Sequence, residues 1–173
     1  MINSPTPRCS CCMHRLHEER DAGVTHAAAL LEKLVKKAIW TRWIFRQSKQ
    51  QQHTKILEES LVLKRVLNEL PGKLVPRRLT DRLLAVIPNV ELARQTISQM
   101  PIDEWCLFFD LIGLLRMVAR NKDTTLMDEA NISACLSSSI FDFSPAAMQS
   151  KASNKLLIFS MANCAELMKR RLD

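Results

Sequence analysis

Tyrosine is absent from this sequence of 173 residues, and only three glycines are present. Residues that favour strands are therefore scarce, whereas Leu, Ala, Lys, Glu and Met, which favour helices, are abundant. This composition argues against a β-rich fold and predicts an all-α protein. Because 47% of the residues are apolar, a chain of this length can bury the core of one globular domain.

Long apolar segments are also missing. No stretch approaches the roughly 20 apolar residues that a membrane-spanning helix needs, and the first 20 residues lack the apolar core of a signal peptide. Residues 169–173 contain no cysteine that could be prenylated. We therefore expect a cytoplasmic protein without a membrane span.

Catalytic motifs are the third absence. The sequence contains no glycine-rich phosphate loop, no metalloprotease motif and no nucleophile elbow. Its four histidines do not combine with cysteine or acidic residues into a known catalytic set. We expect no enzymatic chemistry from this chain itself, and no cofactor.

Three of the six cysteines lie in one N-terminal cluster with two histidines: Cys9, Cys11, Cys12, His14 and His17. Thiolate and imidazole groups bind zinc, but closed zinc sites usually join two separated pairs of ligands, and no second pair follows here. We therefore predict no metal site. The remaining Cys106, Cys135 and Cys164 lie singly in apolar segments, as reduced core thiols do.

Lysine and arginine outnumber acidic residues, which gives a net charge of +7. Such an excess could attract an acidic protein surface, an anionic membrane or nucleic acid, or could simply lie on solvated helix faces. Nucleic acid is the least favoured partner, because stacking aromatics and base-reading motifs are absent and the arginines are not concentrated on one recognition helix.

Apolar periodicity divides the chain into two parts. Residues 1–24 lack it, so we predict a flexible N-terminal segment that adds nothing to the core. Residues 25–173 should form one helical domain. Periodic apolar residues and the positions of the prolines predict helices over 26–42, 56–70, 77–87, 90–100, 102–121, 128–138 and 145–171.

The helix over 102–121 is apolar on nearly all sides and should be the central buried helix. The residues that we expect in the core are Trp105, Phe108, Leu111, Leu115 and Met127.

Three blocks of sequence follow one another in a familiar order: "LLEKLVKKAIWTRWIFRQS", "VLKRVLNELPGKLVPRRL" and "MPIDEWCLFFDLIGLLRMVARNKDTTLMDEANISACLSSSI". They resemble the "G-I-F-R-x-S", "L-K-x-F-L-R-x-L-P-x-P-L-I-P" and "N-L-A-x-x-F-G-P-x-L" segments of the Rho GTPase-activating protein (RhoGAP) domain family. The "PGKL" segment resembles sequences of the RhoGAP subgroup that contains the T-cell activation GTPase-activating protein. The resemblance covers residues 30–141 and implies a RhoGAP-like helical bundle that regulates a Rho-family small GTPase.

The resemblance also assigns candidate site residues. Arg46 falls on the family's arginine finger, whose guanidinium enters the GTPase nucleotide pocket and stabilises charge that develops on the γ-phosphate. The alternative is a surface arginine that flanks a helix. Lys64 falls on the lysine of the family's "L-K" pair, and Asn131 falls on the asparagine of "N-L-A". The residues that we expect to bind the partner are Lys64, Asn68, Asn131, Lys73 and Arg77.

The sequence departs from the family pattern around this site. Trp43 replaces a glycine of the finger loop, Asn68 replaces a second arginine, and Ser139 replaces an asparagine. The segment between Arg46 and Lys64 is shortened and contains neither Gly nor Pro. If it forms one continuous helix, these two residues lie about 27 Å apart, too far to act on one phosphate.

These departures predict a bundle that is partly truncated between the finger loop and the following helix. They also predict weak or absent stimulation of GTP hydrolysis. The first alternative is a GTPase-binding decoy or scaffold without catalytic effect. The less favoured alternative is a basic helical protein that binds nucleic acid.

Overall fold

The structure is a computed structural model that describes residues 10–35, 45, 55–149 and 152–169. Within these residues, every regular element is a helix apart from one isolated parallel bridge. The all-α prediction is confirmed. The helices are α1 (Ser10–Val35), α2 (Lys55–Glu69), α3 (Arg77–Val86), α4 (Val90–Ile97), α5 (Ile102–Arg120), α6 (Lys122–Thr125), α7 (Glu129–Ile140), α8 (Pro145–Gln149), α9 (Ala152–Ala162) and α10 (Cys164–Leu167).

Prolines delimit the helices in the middle of the chain, as the sequence predicts. α2 ends at Glu69, shortly before Pro71, while α3 and α5 begin directly after Pro76 and Pro101. Proline suits these positions because it has no N–H to donate and its φ angle is already close to the helical value. α2, α3, α4 and α5 therefore lie within a few residues of their predicted bounds.

α1 differs most from the prediction. It runs unbroken from Ser10, so the boundary predicted after residue 24 falls inside a helix. The side chains of Arg20 and Val24 are largely buried, which means that this part of the chain joins the core. Apolar periodicity does not reveal the contribution of residues 10–24 to the core. This contribution comes from one arginine, one glycine and one valine rather than from a run of large apolar residues.

The C-terminal region also differs, because the single helix predicted over 145–171 is divided into α8, α9 and α10. Asn163 separates α9 from α10, with backbone angles outside the helical range. Its side-chain amide donates to the carbonyl oxygen of Phe159 at 3.0 Å, a local bond of the kind that favours turns over helix interiors.

α5 is the central helix and packs against α1, α7, α9 and α10. Four of the predicted core residues, Phe108, Leu111, Leu115 and Met127, are buried as expected. Trp105 is half-buried, with its ring centroid 4.7 Å from that of Phe109. None of the described helices combines the length and the apolar character that crossing a membrane requires.

Small hydroxyl side chains lie where α7 packs against α9. Ser133 Oγ donates to the carbonyl oxygen of Asn154 on α9 at 2.7 Å, and Ser137 Oγ donates to the carbonyl oxygen of Ser133 at 2.7 Å. Both serines are buried, so the two helices meet through short, hydrogen-bonded side chains.

Candidate partner-binding surface

α2 and α7 pack against each other, and the segment that follows α2 is joined to the end of α7. The N–H of Val75 donates to the carbonyl oxygen of Ile140 at 2.9 Å, and the N–H of Asp142 donates to the carbonyl oxygen of Val75 at 3.0 Å. The two helices therefore end on the same side of the bundle. Asn68 and Ser139 are the next-to-last residues of α2 and α7, and Lys64 lies one helical turn before Asn68.

The chain leaves α2 through a tight turn at Pro71, Gly72 and Lys73. Gly72 has a φ of 74° and Lys73 a φ of 61°, so two successive residues are left-handed. Glycine adopts this conformation at little cost, whereas for lysine the conformation is unfavourable by roughly 1–2 kcal/mol. The N–H of Lys73 donates to the carbonyl oxygen of Leu70 at 2.9 Å, which closes the turn.

This turn brings Lys73 back onto α2. Its Nζ donates to the backbone oxygen of Asn68 at 2.6 Å and to Asn68 Oδ1 at 3.2 Å. Asn68 and Lys64 are four residues apart and share one helix face, as predicted. The structure therefore places the cationic group of Lys73 on Asn68, one helical turn after Lys64. This group lies at the carbonyl end of α2, where positive charge is favoured.

Arg77, another predicted partner-binding residue, already has an acidic neighbour. Its Nη2 lies 2.9 Å from Asp142 Oδ1, just beyond the end of α7. The Arg77 side chain remains 44% exposed, so its charge is only partly neutralised by this surface ion pair. Arg77 thus borders the surface while also joining α3 to the segment after α7.

Asn131 and Ser139 occupy opposite ends of α7. The N–H of Asn131 donates to the N-cap side chain Asp128 at 2.7 Å in the first turn, and its own side chain is half-buried. Ser139 lies about 12 Å further along the helix axis and is completely buried. Among the described residues, Ser139 Oγ has no hydrogen-bond partner. The structure therefore places Ser139 in the interior rather than on the surface of the bundle.

Arg46 and Trp43 lie outside the described residues, so the position of the predicted arginine finger stays a prediction. Phe45, which directly precedes Arg46, is described and is buried in the core.

The N-terminal cysteine and histidine cluster is only partly within the described residues. Cys9 lies outside them, and the side chains of Cys11, Cys12 and His14 on α1 do too. Among the side chains that are described, no three His, Cys, Asp or Glu residues are grouped to hold a metal ion. Cys106 is an exposed free thiol, Cys135 is half-buried and Cys164 is buried.

Arg20 on α1 is a residue of this region that sequence reasoning missed. Its Nη2 donates to Glu104 Oε2 at 2.8 Å, and its Nε donates to the other oxygen of the same carboxylate. Its Nη1 donates to the carbonyl oxygens of Pro71 and Lys73, and its Nη2 donates to that of Leu74. No motif marks Arg20, and the only sequence signal is an acidic residue, Glu104, at the start of the most apolar helix.

These observations define a class: an all-helical bundle with a cationic surface where α2 ends beside α7. Residues 60–145 match the family model of the RhoGAP domain. That match includes Lys64, Lys73 and Asn131 and begins after Arg46. The family match therefore supports a RhoGAP domain within residues 60–145 of this chain.

Several solved structures share the fold. Human Rho GTPase activating protein 15 has a TM-score of 0.70 at 13% sequence identity, covering 89% of this chain and 90% of that chain. The BH domain of Graf, the GTPase regulator associated with focal adhesion kinase, has a TM-score of 0.68 at 18% identity, covering 84% of this chain and 94% of that chain. At such identities the likeness shows the fold alone. No curated protein matches the chain.

Proposed function

We propose that this protein binds a Rho-family small GTPase and acts as a regulator in small-GTPase signalling, with weakened or lost stimulation of GTP hydrolysis. The observation that carries the proposal is the position of the family match. Residues 60–145 contain the predicted partner-binding residues of α2 and α7 but begin after the predicted finger, Arg46. The match therefore supports the predicted binding residues and does not include the predicted finger.

Electrostatics favour an acidic partner. Lys64 and Lys73 belong to a chain with a net charge of +7, and Arg65, the residue after Lys64, is exposed. Complementary charge raises the rate of encounter and fixes orientation more than it raises affinity. A GTPase with an acidic contact surface would therefore be captured quickly and in a defined orientation.

Acceleration of hydrolysis is a more demanding requirement than binding. A finger guanidinium must be held within a fraction of an ångström of the developing charge. The chain has Asn68 where the family has a second arginine, and Ser139, which stands in place of an asparagine, is buried. We therefore propose that binding persists while catalytic stimulation is weak. If stimulation is lost completely, the protein acts as a GTPase-binding decoy or scaffold.

Two further assignments belong to this proposal. We place the protein in the cytoplasm together with its partner. We also place it near the subgroup of the T-cell activation GTPase-activating protein, on the segment Pro71, Gly72, Lys73 and Leu74.

The test combines binding and single-turnover hydrolysis. A panel of Rho-family GTPases is loaded with GTP or with a non-hydrolysable analogue and mixed with wild type, Arg46→Ala and Lys64→Ala. Lys155→Ala, at an exposed lysine on α9, serves as the control. We expect binding that Lys64→Ala weakens and Lys155→Ala does not, with hydrolysis near the basal rate for every variant. Strong stimulation that Arg46→Ala abolishes would overturn the proposed loss of catalysis, and absence of binding across the panel would overturn the function itself.

A further inference from the structure

Arg20 makes contacts that a purely structural ion pair does not need. A guanidinium has five N–H donors in a fixed plane. Two of its nitrogens donate to the Glu104 carboxylate, and the remaining contacts all go to carbonyl oxygens of one turn, at Pro71, Lys73 and Leu74. The Arg20 side chain is 13% exposed, so these bonds lie in a region largely shielded from solvent.

The turn that Arg20 holds contains one unfavourable residue, since Lys73 is left-handed. The carbonyl oxygens of Pro71 and Lys73 lie beyond the last residue of α2 and accept hydrogen bonds from Arg20. The Nη1 of Arg20 lies 2.8 Å from the carbonyl oxygen of Lys73. Lys73 is therefore held at two points, with its carbonyl oxygen on Arg20 and its Nζ on Asn68.

We propose that Arg20 is a positioning residue that acts through Lys73. By fixing the turn, Arg20 keeps the Lys73 ammonium against Asn68, one helical turn after Lys64, so that two cations on the same part of α2 are presented to an acidic surface of the partner. In this arrangement the turn supplies the second positive charge that α2 lacks at Asn68. The role of Lys73 in binding rests on the proposed function, whereas the effect of Arg20 on the turn does not.

Arg20→Lys is the diagnostic substitution. Lysine keeps a positive charge opposite Glu104, which avoids a lone buried carboxylate. Its single nitrogen cannot contact both carboxylate oxygens and three carbonyl oxygens at once, because it lacks the planar fork of arginine. The variant therefore keeps the ion pair and releases the turn. If it does not fold, as judged by its melting curve, Arg20→Met combined with Glu104→Met replaces the pair by packing of similar volume.

The first measurement is a double-mutant cycle on GTPase binding, with wild type, Arg20→Lys, Lys73→Gln and the combination. We expect each single substitution to lower the affinity by about fivefold, since an exposed charge pair contributes up to roughly this much. The combination should lower it little further, because both changes remove the same cation from the interface. Losses that multiply, or an Arg20→Lys variant that binds like wild type, would overturn the proposal.

The second measurement needs no partner. Amide hydrogen exchange of the free protein compares wild type with Arg20→Lys at the N–H groups of Lys73 and Val75, which donate to Leu70 and Ile140. We expect faster exchange there, with unchanged protection at Leu111 in α5. Equal acceleration at all these sites would show a general loss of stability and overturn a positioning role.

The two measurements separate the two proposals. If no Rho-family GTPase binds wild type, the proposed function fails, and exchange at Lys73 still decides whether Arg20 fixes the turn. If wild type binds but exchange at Lys73 is unaffected by Arg20→Lys, the positioning role fails and the function stands.

Discussion

Gly23 on α1 and Leu70 at the end of α2 are so close that a Cβ on residue 23 would lie 2.5 Å from Leu70 Cδ2. Leu70 is 4% exposed, and its side chain would have to change position to accommodate a Cβ on residue 23. The absence of a side chain at Gly23 therefore permits the contact between α1 and α2, and with it the approach of Arg20 to the turn that follows α2.

Gly23→Ala should destabilise the protein. Alanine improves helix propensity by about 1 kcal/mol, but overpacking against Leu70 typically costs about 1–3 kcal/mol, so we expect a net loss of up to about 2 kcal/mol. Gly113→Ala in α5 is the matched control, because a Cβ there meets no atom within 4 Å. Urea unfolding should show lower stability for Gly23→Ala and higher stability for Gly113→Ala. A gain of stability in both variants would contradict the close contact.

Leu111→Ala should cost about 2–5 kcal/mol, because Leu111 is 1% exposed in the central helix and its truncation leaves a cavity. Leu92→Ala in α4 is the control, since Leu92 is 45% exposed and should lose less than about 1 kcal/mol. The free energies of unfolding from denaturant titration give the comparison. Similar losses at the two positions would mean that α5 is not the core helix.

Breaking the pair between Arg20 and Glu104 should be costly. Arg20→Leu leaves a carboxylate that is 8% exposed without its cation, and we expect a loss of about 3–5 kcal/mol. The double variant Arg20→Leu, Glu104→Leu should lose clearly less than the sum of the two single losses, because no charge stays buried alone. Glu166→Gln, which breaks the exposed pair with Lys169, should change stability by less than about 1 kcal/mol. Thermal unfolding of the four variants tests these expectations, and additive losses would count against a buried pair.

Removal of residues 1–24 should destabilise the domain, contrary to what the sequence predicts. The deletion takes away Arg20, Gly23 and Val24, which contact α5, the end of α2 and the core. We expect a lower unfolding midpoint and a smaller denaturant dependence, since less surface is buried in the native state. An unchanged midpoint would instead support the prediction that this segment adds nothing to the core.

Ser139→Ala should stabilise the protein by about 1 kcal/mol, because the buried Ser139 hydroxyl has no hydrogen-bond partner among the described residues. Ser139→Asn, which introduces the residue that the family resemblance expects, should destabilise it, since a larger amide would have to fit in the same enclosed position. Melting temperatures of the two variants give the answer. A tolerated asparagine would indicate that position 139 can turn towards the surface.

Much of the fold is predictable because its signals are local. The prolines at 76 and 101 mark helix starts, and the apolar residues of α5 are numerous enough to identify a central helix without tertiary information. The N-terminal half of α1 is different, because its contribution depends on Arg20 meeting partners far away in the sequence. No local pattern encodes such a contact.

The candidate surface is also predictable from the sequence only in part. The shared face of Lys64 and Asn68 follows from their spacing of four residues. The contact between Lys73 and Asn68 depends on a lysine with positive φ, a conformation that sequence rarely indicates for any residue other than glycine. The burial of Ser139 likewise depends on how α7 packs, which the spacing along α7 does not determine.

The serines between α7 and α9 restrict which residues can replace them in related chains. Ser133 and Ser137 allow the two helices to lie close together, and Ser133 holds a backbone oxygen of α9. Side-chain volume, more than polarity, should therefore decide which replacements persist there in related chains. Alanine, glycine and cysteine fit the available space, whereas leucine or phenylalanine would separate the helices even though they are more hydrophobic.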